Sequence, residues 1–271
     1  MLQFSNQLLN ESRLITVLYD NLRDEVKKDV LYSSVQCYVE KYVSFNGITA
    51  EKAIEIYTNY ITTYNRHCKR FMKTGRYPLE NGEHDFQMSR EEYDVVLLLS
   101  VLFTPHRFRI MQAVGNSGLA EKALFIGLGS GLEIFLTQNK FQEIHGYDLT
   151  VSPFLFSEFT NVKLKAELYE GQYQNFYDVI YLVELLEHLE DPYELLATCC
   201  GSLKKGGRVL LTTATNIPQF DHFYNFPEDH LLFESKLIEM GFRIISKETI
   251  THNYLALELK PCNHFYEVEK L

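Results

Sequence analysis

The chain has 271 residues, 46% of them apolar and 23% charged, which is globular composition with length for one large domain or one and a half. Its formal net charge of −10 disfavours DNA or RNA as a substrate, because releasing counterions from phosphates needs a basic surface. The five cysteines form neither C-x-x-C nor a zinc spacing. The longest strongly apolar run, Val95–Phe103 with Ser100 inside it, falls far short of the ~20 residues of a membrane span. Nothing before the first helix resembles a signal peptide, so a reducing cytoplasm is expected and no membrane association.

Residues 1–118 read as helical. From about Gln7 to Ser44 apolar residues recur at three and four, through Leu14, Leu18, Leu22, Val26, Val30, Val35, Val39 and Val43. Thr49 opens another helix, with Ile54, Tyr57, Ile61 and Tyr64 on one face, ending near Gly75 and Pro78. Residues 73–86 read as a loop. Ser89-Arg90-Glu91-Glu92 is a capping box before Tyr93–Phe103, and Thr104-Pro105 starts a short helix to about Val114.

The pattern then changes. Ala123-Leu124-Phe125-Ile126 is an apolar run ending in Gly127-Leu128-Gly129-Ser130-Gly131, and a helix is expected from Leu132. This is how a buried parallel strand turns into a helix around a nucleotide-like ligand. The sixth position from Gly127 is Leu132 and that from Gly129 is Ile134, so the dinucleotide pattern G-x-G-x-x-G is not met; a P-loop is also missing. The next apolar stretch ends in Asp148, whose carboxylate suits the two ribose hydroxyls of an adenosine or the cap of a helix near Val151. Val162–Lys165 is a short third strand and Phe176–Val183 a buried fourth. Asp191-Pro192-Tyr193-Glu194 starts a helix expected to stop at Lys204-Lys205-Gly206-Gly207, ahead of a strand Arg208–Thr213. Helix Glu228–Met240 precedes an antiparallel pair read as Phe242–Ile250 and Tyr254–Lys260.

Leu124–Gly131, Asp148, Tyr177–Ile180, Leu186-Glu187-His188-Leu189 with Asp191-Pro192, and Leu203-Lys204-Lys205-Gly206-Gly207 together resemble the successive motifs of class I S-adenosylmethionine-dependent methyltransferases. The likeness covers roughly residues 120–260 and is nearest the small-molecule O- and N-methyltransferases that include ubiquinone-pathway enzymes. It implies an α/β, Rossmann-like methyltransferase sheet over 119–271, preceded by an all-helical segment over 1–118. It also implies S-adenosylmethionine as cofactor and S-adenosylhomocysteine as product. Gly127, Gly129 and Gly131, with Ser130, would line the methionine and ribose portion. Asp148, with Leu149 beside it, would hold the ribose. Glu167 sits where the family often places an acid near the adenine amine, and Val183 and Glu184 would face the cofactor. The family usually has an acid two residues before the first glycine; this chain has Phe125.

The acceptor signal is strongest after the fifth strand, where Thr215–Pro227 is a long aromatic loop leaving the carboxyl end of a central strand. Within it His222 and Tyr224 offer polar tips, and a neutral imidazole suits a general base near pH 7. His222, Tyr224 and His188 are the catalytic candidates. The Glu187-His188 pair could cap a turn, move a proton or ligate a metal, and no metal site is assigned. No Asn/Asp-Pro-Pro-Tyr motif is present; the corresponding site reads Val183-Glu184-Leu185-Leu186, which also argues against nucleobase methylation. The expected reaction is in-line methyl transfer to a small-molecule O or N acceptor. The alternatives are aminocarboxypropyl transfer, as in nicotianamine synthases, and a non-catalytic binding subunit. Residues 1–118 are expected to act as a lid over the acceptor pocket or as the contact of a homodimer, and both can hold.

Overall fold

The computed structural model describes residues 3–82, 87–252 and 259–271. Seven helices precede the first strand: α1 (Gln3–Glu11), α2 (Arg13–Asp20), α3 (Asp24–Lys27), α4 (Val30–Phe45), α5 (Ala50–Thr74), α6 (Arg90–Phe103) and α7 (Pro105–Gly115). The long periodic run up to Ser44 is therefore broken into separate helices. Ser12 and Asp29 cap two of them by accepting from the amides of Ile15 and Leu31. The expected punctuation of the rest is present. Thr49 caps α5, Gly75 closes it in the left-handed region, and Ser89 and Glu92 form the capping box of α6.

The remainder is a sheet with flanking helices. Its strands are β1 (Lys122–Ile126), β2 (Glu143–Asp148), β3 (Lys163–Ala166), β4 (Tyr177–Leu182), β5 (Leu203–Thr215), β6 (Phe242–Thr251) and β7 (Cys262–Lys270). Between them lie α8 (Leu132–Thr137), α9 (Pro153–Glu158), α10 (Pro192–Ser202) and α11 (Leu231–Glu239). The seven strands run in the order β3-β2-β1-β4-β5-β7-β6. All pairings are parallel except those of β7, which is antiparallel to both β5 and β6. The strand order reverses between β1 and β4, so the crevice beyond their carboxyl ends is where an open α/β sheet accommodates a ligand.

Two expectations need correction. Helix α10 ends at Ser202, and Lys204-Lys205-Gly206-Gly207 belongs to β5 instead of terminating the helix. The segment is a bulge: pairing to β4 jumps from Tyr177↔Leu203 to Val179↔Arg208, with Gly206 at φ 76°. The strand paired with β6 is Cys262–Lys270; of the expected Tyr254–Lys260, residues 254–258 lie outside the described ones.

The helices and the sheet share one core. A single buried cluster runs from Phe4 and Leu8 through Tyr38, Tyr42, Leu99 and Leu102 to Phe125, Leu132, Leu155 and Tyr181. At its centre the Tyr38 ring packs on Phe135 and Phe154, and its hydroxyl donates to the Ser130 carbonyl at 2.6 Å. The ring buries apolar area while the hydrogen bond satisfies its polar tip. Helix α4 is thereby fixed to the glycine turn after β1.

Candidate active site

The turn after β1 holds Gly127, Gly129 and Gly131 at φ 74°, 48° and 75°. That region favours glycine because other residues bring Cβ too close to the backbone. Space adds a second demand. A Cβ on Gly131 would lie 2.5 Å from Leu155 Cδ2 and 3.0 Å from the Tyr38 hydroxyl, and one on Gly127 would lie 2.9 Å from Leu185 Cδ1. Gly131 is thus constrained by the protein's own packing.

Asp148 ends β2 beside this turn. Its Oδ2 accepts from the amides of Leu128 (2.8 Å) and Gly129 (3.3 Å), and its Oδ1 accepts from the Thr150 amide at 3.1 Å. Helix α9 is capped by Ser152, which accepts from Phe154, so Asp148 is not that cap. A further donor arrives from α6: Arg90 Nη1 reaches Asp148 Oδ1 at 3.3 Å and the Thr150 carbonyl at 2.7 Å, and Nη2 donates to the Gly129 carbonyl. Arg90 Nε is held by Asp94, which also accepts from the Tyr42 hydroxyl at 3.0 Å. Burial pushes the Asp94 carboxyl up to about 7 despite the guanidinium.

These groups bound a cavity of about 340 Å³. Arg90, Tyr93, Leu97 and Val101 on one face of α6 form a wall, opposite Gly127, Gly129, Ser130, Asp148, Leu149 and Thr150. Val183, Glu184, His188 and Asp221 close the far side. Among the expected cofactor residues, Gly131 does not line this space. Glu167 does not either; it lies exposed beyond β3, paired with Lys165 at 3.0 Å.

Glu184 stands at the junction with a second cavity. It is a non-glycine residue at φ 51°, a conformation that costs of order 1–3 kcal/mol and clusters at functional sites. Its amide donates to Thr212 Oγ1 at 2.6 Å. Its carboxylate takes Arg107 Nη1 at 2.6 Å and Asn263 Nδ2 at 2.8 Å. Arg107 and Glu184 line both spaces. The second is only about 30 Å³, walled by Tyr57, Tyr60 and Tyr64 of α5, His106, Gln219, His222 and His252. The Tyr60 hydroxyl donates to Gln219 Oε1 at 2.7 Å and so ties α5 to the aromatic loop.

His222 is buried in this second wall, and burial together with the neighbouring His188 pushes its imidazole down to about 3. It is neutral near pH 7 but a weak base. His188 lines the larger cavity with Nδ1 at 3.2 Å from the Asp221 carbonyl. Burial opposes its charge, yet Asp221 and Glu187 outweigh burial and hold its pKa above the ordinary value. Glu187, His188 and His222 each bring one side-chain atom within 4.8 Å of the others. Burial and Glu184 push the Glu187 carboxyl up to about 7, and its Oε2 has no hydrogen-bond partner among the described residues. Tyr224 lines neither cavity. It packs against Tyr193 and Phe226, and its amide donates to the Glu187 carbonyl. Sequence reasoning did not single out Arg90, Arg107 or Glu133 as site residues.

A family model described as "Methyltransferase domain" matches residues 112–245. A ubiquinone biosynthesis O-methyltransferase of Shewanella sp. (strain ANA-3) is 27% identical over 129 residues, 44% of this chain and 55% of that protein. One of Aliivibrio fischeri (strain MJ11) is 25% identical over 159 residues, 55% of this chain and 63% of that protein. The chain thus spans little more than half the length of the curated relatives it matches. Among solved structures, the N-methyltransferase NodS of Bradyrhizobium japonicum in complex with S-adenosylhomocysteine aligns with TM-score 0.48 at 14% identity, covering 62% of this chain and 89% of that one. The methyltransferase-domain match, just under half of the chain, the O-methyltransferase relatives and the seven-stranded sheet with one reversed strand together support a class I S-adenosylmethionine-dependent methyltransferase domain.

Proposed function

We propose that the chain transfers the methyl group of S-adenosylmethionine to a small-molecule acceptor at an oxygen or nitrogen. The observation that carries this reading is the pair of adjoining cavities. One is bounded by the glycine turn and Asp148, the other by tyrosines and histidines, and both are lined by Arg107 and Glu184. The residues present fit the cofactor: a carboxylate fixed by backbone amides faces a turn that a Cβ would fill. Asp148 would hold the ribose, Leu149 and Val183 would flank the nucleoside, and Gly127 and Gly129 would allow close approach of the backbone. A sulfonium supplies a methyl group that is already activated, so the protein contributes alignment, water exclusion and removal of the acceptor's proton.

The acceptor-side residues divide that work. Arg107, locked by Glu184, fixes positive charge where the two cavities meet. His222 offers a neutral imidazole to the acceptor. Glu187 lines neither cavity but stands beside His188 and His222, and its carboxyl near 7 is the one in this cluster whose proton affinity matches neutral pH, so it would exchange a proton through them. A space of about 30 Å³ holds little more than one water, so an acceptor must part α5 from the aromatic loop at the Tyr60–Gln219 hydrogen bond. This is the lid role for residues 1–118; a homodimer through the same helices is compatible with it. The acidic net charge supports a small-molecule acceptor over nucleic acid, and no described helix is long and apolar enough to cross a membrane. A cytoplasmic setting fits the cysteines, all free.

Calorimetric titration with S-adenosylmethionine and S-adenosylhomocysteine, beside NADH, tests the reading. Micromolar binding of the first two and none of NADH is expected. An acceptor screen by mass should then yield S-adenosylhomocysteine as the co-product; methylthioadenosine instead would mean aminocarboxypropyl transfer. Failure of both sulfur nucleosides to bind would refute the proposal.

A further inference from the structure

The charged groups lining the larger cavity are paired, with one exception. Arg90 is held by Asp94 and Asp148, and Arg107 by Glu184. Asp221 accepts from Gln219 at 2.9 Å and lies 3.4 Å from His188. The exception is Glu133, on the first turn of α8, two residues after Gly131. It is only partly exposed, and among the described residues no hydrogen bond or ion pair from another side chain holds its carboxylate; the Arg107 guanidinium, locked to Glu184, attracts it only through space. Burial pushes that carboxyl up to about 7. An ionised carboxylate removed from water without a partner is costly, and a cationic ligand group beside it would offset that cost.

The location narrows which cation. Glu133 lies beside the Gly127 turn and also lines a small crevice with Phe125, Tyr181 and Val183. In that crevice β1 offers no acid, because the Phe125 ring stacks on Tyr181 with centroids 4.4 Å apart. The ribose carboxylate Asp148 ends the neighbouring strand β2. The lining as a whole holds four carboxylates, Glu133, Asp148, Glu184 and Asp221, against the guanidiniums of Arg90 and Arg107 and the His188 imidazole, whose protonated form Asp221 and Glu187 favour. An excess of negative charge suits a ligand carrying a sulfonium and an ammonium against one carboxylate.

Building on the cofactor assignment proposed above, we infer that Glu133 holds the α-ammonium at the amino-acid end of the cofactor. α8 thereby supplies the acid that β1 lacks. Glu133 is then a binding determinant for the amino-acid portion and contributes nothing to the nucleoside portion.

The test is titration of the full chain at pH 8 with S-adenosylhomocysteine and with 5′-methylthioadenosine, which lacks the amino-acid end. Wild type, Glu133→Gln and Asp148→Asn are compared. Glu133→Gln is expected to weaken S-adenosylhomocysteine about tenfold or more, the scale of a lost hydrogen bond between charged groups, and to leave methylthioadenosine within twofold. Asp148→Asn should weaken both. Unchanged methylthioadenosine binding also shows that Glu133→Gln is folded. Glu133→Gln binding S-adenosylhomocysteine within twofold of wild type, or losing both ligands equally, would overturn the inference while leaving the cofactor assignment standing. A wild-type chain that binds neither nucleoside would remove both.

Discussion

Replacing Asp148 by alanine should weaken S-adenosylhomocysteine binding by a factor that the hydrogen bonds in hand constrain. The carboxylate accepts from Leu128, Gly129 and Thr150 amides and from Arg90, which uses the roughly four lone-pair sites of an ionised carboxyl. Two ribose hydroxyls can bind it only if two present contacts yield, the long ones from Arg90 and Gly129 at 3.3 Å each. A hydrogen bond to a charged group contributes roughly 1.5–3 kcal/mol, so two full bonds gained for two long ones of about half that strength leave about 1.5–3 kcal/mol, or about a 10- to 150-fold change in Kd. The same substitution leaves the Leu128 and Gly129 amides without their acceptor and costs about 1–3 kcal/mol of stability if water does not replace it. The assay is therefore paired: titration for Kd and thermal melting for the fold. A folded Asp148→Ala chain with the wild-type Kd would refute the ribose assignment, whatever the change in Tm.

Three other outcomes are expected. Gly131→Ala forces a Cβ to within 2.5 Å of Leu155 in a left-handed backbone, so it should lower stability by about 1–3 kcal/mol, seen as a reduced denaturant midpoint at unchanged m. His222→Gln should lower turnover with little effect on S-adenosylhomocysteine affinity, because His222 lines the acceptor cavity and not the larger one; a matching loss of affinity would contradict that division. Away from the site, His230 and His264 pack ring to ring at 3.8 Å, and burial holds both imidazoles down at about 4. Their unfolded values lie near 6.5, so between pH 6.5 and 4 the unfolded chain binds more protons and stability falls with pH. Melting His264→Asn alongside wild type across that window should show a shallower loss in the variant; parallel curves would disprove the assignment.

What could be read from the sequence was local. The glycine turn, Asp148, the Ser89 capping box and the Asp191-Pro192 helix start are each fixed by a few adjacent residues, and each stands in the structure as expected. The errors come from longer-range competition. Lys204–Gly207 has the composition of a helix terminator, but Leu203 before it already pairs with β4 and Arg208 after it pairs with β4 and β7, so the segment is carried into β5 as a bulge that contains Gly206. The last strand was read at Tyr254–Lys260 because Tyr254-Leu255-Ala256-Leu257 is a continuous apolar run, whereas Cys262–Lys270 mixes apolar with polar residues. Arg107 carried no visible signal, since its partner Glu184 lies 77 positions away. For Glu133 a signal existed: an acid two residues past the last glycine on an otherwise apolar turn, in a chain whose β1 lacks one. His222 was expected as a base and lines the smaller cavity; its basicity could not be read, because burial and the neighbouring His188, which push it down to about 3, depend on the packed loop.

The same distinction explains why the amino-terminal helices belong to the site's chemistry as well as to its shelter. Tyr38, Arg90 and Arg107 all precede β1, yet they contact Ser130, Asp148 and Glu184 at the carboxyl ends of the strands, and Tyr42 and Asp94 hold Arg90 from behind. A fold that needed the helices only as a cover would meet the sheet through apolar surface. Here Asp94 is fully buried, accepts from Tyr42 and Arg90, and aims the guanidinium at the carboxylate expected to hold a ribose. Burying such a pair adds little net stability compared with apolar packing, and breaking it on one side is costly. A ribose that takes Arg90's place at Asp148 frees a guanidinium still tied to Asp94, on the helix that also presents Tyr93 to Gln219 and the aromatic loop. Filling the first cavity and opening the second would then act through one rigid helix.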